Sequence, residues 1–201
     1  MIWPFGDLKP GHYGAILADP PWHFQVWAGA RLDGAGNPCS ARAADYDYMK
    51  DEELAALPVG DLAATDCSLF LWTCWPVLQR SFQILEAWGF RYKTCAFSWM
   101  KADPYRLFVL EEDIFKGLGY WTRANTEPCL LATRGRPKRQ SANVLQGIIE
   151  KRREHSRKPD CIHKRIEQLV AGPYCELFAR APRAGWDVWG NETDKFKEAA
   201  E

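Results

Sequence analysis

The sequence predicts an α/β fold with a mostly parallel sheet and helices on both faces. Three observations lead there. Short apolar runs alternate with helical patterns along the chain, and the helical stretches carry recognisable start and stop residues. The first apolar run, "GAILAD", ends on two prolines and a tryptophan instead of a hairpin turn. With 201 residues and 47% apolar content, the chain is expected to form one domain over 1–201, with no repeat, coiled coil or linker.

The elements follow in order. Residues 14–19 read as a buried strand, its carboxyl end lying where a doubly wound sheet opens its ligand crevice. Residues 24–46 are rich in Gly, Ala and Arg without a period, and read as a long mobile loop. "MKDEELAALPV" starts a helix with acids in its first turn. "CSLFLWTCW" at 67–75 is a strand of β-formers. "PVLQRSFQILEAWGF" is a helix opened by Pro76 and closed by Gly89. "RYKTCAFSWMK" at 91–101 is the next strand, and 103–117 is a second mobile loop. A turn at 122–128 leads into a strand at about 129–134. Residues 140–154 read as a helix ending near a basic cluster. "KPDCIHKRIEQLVAGP" is another, with Pro159 and Asp160 in its first turn and Gly172 past its last. "YCELFAR" and "GWDVWGNE" are short strands split by a loop containing Pro182 and Gly185.

Composition narrows the function classes. No run reaches 18 apolar residues, and the first residues lack a basic-then-apolar leader, so a cytoplasmic protein without a membrane span is expected. Seven cysteines, scattered and without a CxxC pair, read as small hydrophobes, and no metal site is expected. The net charge is zero, yet its distribution is uneven. Residues 45–61 carry six acids and one base, while 134–165 carry eleven Lys or Arg against three acids. The second segment suits a polyanion surface, or else a solvated helical face.

The tetrapeptide after the first strand, Asp19-Pro20-Pro21-Trp22, holds its backbone nearly rigid, since each proline fixes its own φ and restrains its predecessor. A carboxylate on Asp19 beside a preset Pro20 carbonyl forms a two-acceptor cradle, whose natural guest is an –NH2 group. Trp22 offers a ring for a flat partner. The combination fits methyl transfer to an exocyclic base amine, a nitrogen whose lone pair is delocalised and must be turned toward an electrophile. Positioning and electrostatics would supply most of that effect.

The order "ADPPW", "DYDYM…EELAALPV", "LFLWTCW", "GLGYWTRANTEPCLLATRG", "HSRKP" and "CELFAR…GWDVWGNE" resembles the MT-A70 family of S-adenosylmethionine-dependent N6-adenine methyltransferases, over roughly residues 14–192. Its compact, single-domain form is similar to bacterial and prophage members. The resemblance implies a Rossmann-like methyltransferase fold with a permuted order, the catalytic tetrapeptide preceding the cofactor strand. It implies that Asp19 and the Pro20 carbonyl hold the target amine, with Pro21 and Trp22 shaping the pocket and Trp22 stacking near the base. S-adenosyl-L-methionine would be held by Asp19 and Lys158 at its amino-acid end, with His155 and Ser156 arranging the loop of Lys158. Glu176, Arg180, Asn191 and Glu192 would lie at its ribose and adenine. Arg42 and Tyr46 would belong to the first active-site loop, while Arg123, Asn125 and Glu127 would contact the flipped nucleotide. The run "ARAPRAG" departs from the family, which often carries a histidine or asparagine there, and Arg183 is the candidate replacement.

The methylatable amine must leave the base stack, or be unpaired already, to reach Asp19. DNA adenine is the favoured substrate by analogy with compact members, and RNA is the alternative, since no feature of this sequence identifies a 2′-hydroxyl reader. Two further readings stand beside them: a non-catalytic nucleic-acid-binding subunit, and an enzyme acting on a small amine. A homodimer or a partner subunit would extend the nucleic-acid groove.

Overall fold

A computed structural model of the chain describes residues 3–23, 48–102, 114, 121–151, 153, 157–193 and 195. The predicted loops 24–46 and 103–117 lie outside the described residues, apart from Ile114. The elements run β1 (Tyr13–Ala18), α1 (Asp51–Ala56), α2 (Val59–Leu62), β2 (Ala63–Trp72), a 3-10 turn (Trp75–Val77), α3 (Leu78–Ala87), β3 (Arg91–Ala102), β4 (Thr126–Arg134), β5 (Gly147–Lys151), α4 (Cys161–Leu169), β6 (Tyr174–Leu177) and β7 (Trp186–Trp189). The strands form one sheet in the order β5-β3-β4-β2-β1-β6-β7. Only β4 runs against the rest, antiparallel to both β2 and β3; the pairs β1–β2, β1–β6, β6–β7 and β3–β5 are parallel. The carboxyl ends of six strands therefore share one edge with the start of β4, and every candidate site residue on a strand lies near that edge.

Strand periodicity sorts the core into two layers. Ile16 and Ala18 of β1, Leu69 and Leu71 of β2, and Leu130 and Ala132 of β4 pack with Leu54 of α1 and with Ile84 and Leu85 of α3. Their strand neighbours, Ala15, Leu17, Phe70, Trp72 and Cys129, face the other way and pack with Phe97, Ile148, Ile162 and Ile166. Helices thus cover both faces, as the sequence predicts, with α1 and α3 on one and α4 on the other.

The helices use local signals. In α3 the buried residues Ser81, Ile84 and Leu85 fall at helical spacing, and Gly89 ends the helix at a φ of +80° that a side chain disfavours. Ser81 donates to the Val77 carbonyl and shares a 2.6 Å hydrogen bond with Thr73, locking the helix against the end of β2. Pro128 is tolerated inside β4 because its side of the strand lies past the end of β2. There its carbonyl accepts the Thr73 N–H, and its missing donor breaks no ladder bond to β3.

One expectation fails. Residues 140–154 do not form a helix: Gly147–Lys151 is strand β5, parallel to β3. The Trp99 indole donates to the Glu150 carbonyl, and Arg165 of α4 donates to the carbonyls of Leu145 and Gly147. Pairing with β3 buries Ile148 and leaves Ile149 outside, an alternation that outweighs the helical pattern of the segment.

Candidate active site

Asp19 is the first residue beyond β1, and its N–H reaches the Leu177 carbonyl of β6. The chain then turns through the two prolines. The Trp22 N–H donates to the Pro20 carbonyl at 2.8 Å, and the Met49 N–H donates to the Pro21 carbonyl at 3.0 Å. The tetrapeptide is as fixed as its prolines demand, with one Pro20 lone pair engaged and the other left for a guest. Trp22 is only 6% exposed. Its ring belongs to the α1/α3 core layer, and its indole donates to the Trp72 carbonyl at 2.9 Å. This corrects the expectation of an open stacking platform: Trp22 anchors the tetrapeptide from beneath, leaving little of its ring for a base to lie on.

Around Asp19 four charges alternate. Lys158 Nζ donates to Asp19 Oδ2 at 2.7 Å and stands 3.6 Å from Glu127 Oε2. Glu127 in turn pairs with Lys101. Lys158 also lies 5.7 Å from the centre of the Trp72 ring. Burial would discharge Lys158, but the carboxylates of Asp19 and Glu127 outweigh it and hold the ammonium above its ordinary range. For Glu127 burial is again the largest influence and pushes upward; Lys158 and Lys101 together prevail and hold it below its ordinary range. Asp19 goes the other way. Burial raises its carboxyl, and Lys158 only partly opposes this.

Beside this quartet lies a cavity of about 520 Å³, walled by the ends of β1, β2 and β6, the start of α4 and the turn after β6. Asp19, Lys158, Glu176, Arg180 and Arg183 all line it, so four of the expected cofactor residues and the candidate replacement converge on one space. Its size suits a nucleoside-sized ligand. Arg180 Nε lies 3.3 Å from Glu192 Oε2, placing Glu192 behind the cavity wall, and Glu192 also pairs with Lys195. Asn191 is exposed in the turn after β7. Arg123 is exposed before β4, and the Asn125 carbonyl accepts the Lys101 N–H. Glu127, expected to face a nucleotide, is instead enclosed by its two lysines. Arg42, Tyr46, His155 and Ser156 lie outside the described residues.

Sequence reasoning missed His163. It sits on the first turns of α4, lines the cavity, and shares a 2.7 Å hydrogen bond between its Nε2 and Glu176 Oε2. Its Nδ1 is buried without a hydrogen-bond partner, as is the indole N–H of Trp72, which lines the same cavity. Its place on the α4 face toward β6 was the available signal. Burial pushes the thiols of Cys67 and Cys74 up to about 12, leaving them unreactive packing groups. Among the described residues no cluster of three or more His, Cys, Asp or Glu is placed to hold a metal ion, and no helix is long and apolar enough to cross a membrane.

The family model described as MT-A70 matches residues 13–192. The Type II methyltransferase M.MunI of Mycoplasma sp is 32% identical over 200 residues, covering 94% of this chain and 81% of that protein. The N(6)-adenosine-methyltransferase MT-A70-like protein of Arabidopsis thaliana is 29% identical over 90% of this chain, which spans only 24% of its length. The human N(6)-adenine-specific methyltransferase METTL4 is 26% identical, with 92% of this chain spanning 38% of its length.

Proposed function

The chain belongs to the MT-A70 family, and from that premise we propose that it transfers a methyl group from S-adenosylmethionine to the N6 amine of adenine in DNA. The observation that carries the proposal is Asp19: a half-buried carboxylate at the end of β1, bonded to Lys158, lining the cavity and followed by a carbonyl with a lone pair to spare.

The residues present fit the cofactor. An ammonium and a carboxylate 2.7 Å apart suit the two charges of an amino-acid end, through Lys158 and Asp19 respectively. Glu176 and Arg180 line the cavity and would meet the ribose, Glu176 as an acceptor for its hydroxyls, while Glu192 would act through its ion pair with Arg180 and Asn191 from the turn after β7. The orphaned Trp72 N–H and His163 Nδ1 beside the cavity are polar atoms that a polar ligand or its waters would satisfy. When bound, the cofactor would supply a methyl carbon made electrophilic by a sulfonium, its carbon–sulfur bond breaking to leave a neutral thioether as the carbon–nitrogen bond forms.

Asp19 and the Pro20 carbonyl accept the two N6 hydrogens and turn the nitrogen lone pair out of the ring plane. Burial of Asp19 strengthens both its acceptor character and its basicity. Once the lone pair has formed the new bond, the surplus N6 proton passes to the Asp19 carboxylate. Lys158 favours the ionised form of that carboxylate against the effect of burial and holds its direction. Trp22 and Trp72 fix the floor, so that little reorganisation is left for the reacting step.

DNA is favoured because the chain spans most of the Type II methyltransferase but about a quarter of the plant relative. RNA is the second reading, favoured by the plant relative's name, which specifies adenosine, the ribonucleoside. The test is transfer of tritiated methyl from S-adenosylmethionine to single- and double-stranded DNA, hairpin RNA and unstructured RNA, with wild type and Asp19→Asn. Label recovered as N6-methyladenine only with wild type supports the reaction, and the best polymer identifies the substrate. Cofactor binding without label in any polymer would overturn it.

A further inference from the structure

The carboxyl edge of the sheet divides into two halves. β1, β6 and the Trp72 end of β2 wall the cavity together with α4, while β4, β3 and β5 continue the edge beyond β2, with Glu127 and Lys101 of the Asp19 quartet on β4 and β3. At the near end of that second half stands Trp75, just past β2 on the 3-10 turn that leads into α3. It is 51% exposed, although its one polar atom is already satisfied: the indole N–H donates to Thr126 Oγ1 at 2.9 Å. Thr126 opens β4, and the next residue is Glu127, partner of Lys158 and Lys101. The residue that tethers Trp75 is thus the immediate neighbour of one of the charges around Asp19.

A second exposed ring is pinned on the same edge. Tyr48, 53% exposed, stacks on His23 with ring centres 4.2 Å apart and planes 30° from parallel. The His23 carbonyl accepts from Arg80 at 2.6 Å, and Arg80 Nη1 bonds both oxygens of Asp51 at 2.9 and 2.8 Å. Arg80 belongs to α3, which continues directly from the turn bearing Trp75. His23 follows Trp22, so the pair flanks the tetrapeptide. Two large rings are therefore held in water near the tetrapeptide edge, Trp75 by its hydrogen bond and Tyr48 by its stack on His23. Nothing in core packing requires them there, and neither is among the site residues inferred above.

Resting on the methyltransferase reading, we propose that Trp75 and Tyr48 form an aromatic ledge on which unpaired bases flanking the target adenine stack. A base–aromatic stack tolerates any sequence, because every base has a π-face. In a chain with no net charge, such a ledge would hold the strand where charge attraction is modest. A preordered ring also loses little conformational entropy on binding.

The experiment measures binding of a fluorescein-labelled single-stranded oligonucleotide of about 12 nucleotides by anisotropy, alongside steady-state methylation. Trp75→Ala should weaken binding and raise KM for the oligonucleotide by roughly tenfold or more, the scale of one lost stack. kcat and affinity for S-adenosylhomocysteine should stay near wild type. Trp75→Phe should restore most of the loss and Trp75→Leu should not, a distinction that a purely structural tryptophan would not make. Tyr48→Ala should act in the same direction, and Tyr48→Phe should be neutral. Binding and KM within about twofold of wild type for Trp75→Ala would overturn the ledge, as would wild type failing to bind the oligonucleotide. If wild type binds but transfers no methyl group, the reaction fails while the anisotropy series still decides the ledge.

Discussion

Lys158 Nζ sits 2.7 Å from Asp19 Oδ2 across 139 residues of sequence, and the same ammonium faces Glu127 at 3.6 Å. One cation thus serves two half-buried carboxylates, and removing it leaves like charges side by side. Lys158→Met should destabilise the fold by about 3 kcal/mol, the low end for a buried pair because both partners keep about a fifth of their surface. Urea unfolding checks this. The double variant Lys158→Met with Asp19→Asn should recover part of the loss, since the uncompensated charge is gone.

The same pair predicts the pH dependence. Protonated Asp19 cannot accept from the amine, and its carboxyl titrates above the ordinary range, so kcat/KM should fall on the acid side earlier than for a typical carboxylate. Lys158→Gln removes an influence that lowers Asp19, so the acid limb should move to higher pH. No movement would show that Asp19 ionisation does not control the limb. Stability follows by linkage. Lys158 is raised, so its contribution is complete below its ordinary value of 10.5 and is lost as pH rises through its folded value. Glu127 is lowered, so its contribution is present above its ordinary value and is lost as acid reaches its folded one. Asp19 is raised and acts oppositely, its cost being relieved as pH falls through its folded value.

Trp22 separates an anchor from a platform. Because the ring is core and its N–H is bonded to the Trp72 carbonyl, Trp22→Ala should cost about 3–5 kcal/mol of stability. Trp22→Phe keeps most of the packing and should cost about 1–2 kcal/mol. Thermal unfolding beside oligonucleotide KM makes the distinction. A Trp22→Phe protein with normal stability and a large KM would restore the stacking role.

His163 positions Glu176. His163→Ala should weaken S-adenosylhomocysteine binding by about tenfold, measured calorimetrically, because the Glu176 carboxylate loses the partner that orients it. His163→Gln, which can still reach that oxygen, should lie between. Equal affinity in all three proteins would reduce the pair to a structural contact.

What could be read from the chain depended on how local each signal was. Asp19 was legible because a buried strand and two prolines, contiguous in sequence, fix its direction. The pairing of Asp19 with Lys158 and the gathering of Glu176 and Arg180 followed only from family resemblance, since they need the placement of α4 and the β1–β6 register. His163 was missed for the same reason: opposite Glu176 it joins a site, yet along its own helix it reads as one more inward residue. The nucleotide role of Glu127 likewise came from the resemblance, and its pairing with Lys101, two positions beyond the Trp99 that faces Glu127 in the β3–β4 register, has no local sign in the sequence.

The segment misread as a helix supplies a final prediction. Leu145, Ile148, Ile149 and the charges after them fit a helical face as well as a strand, and only pairing with β3 separates the two. In strand β5, Ile148 is 1% exposed and packs with Phe97, Trp99 and Ile162, while its neighbour Ile149 is 63% exposed. Ile148→Ala should therefore cost about 2–5 kcal/mol, and Ile149→Ala should stay within about 0.5 kcal/mol of wild type. Adjacent residues of one type then differ only in the face they present, which a strand alternates and a helix does not. Comparable losses at both positions, measured by urea unfolding, would contradict the strand and with it the edge that places Lys151 beside Ala102.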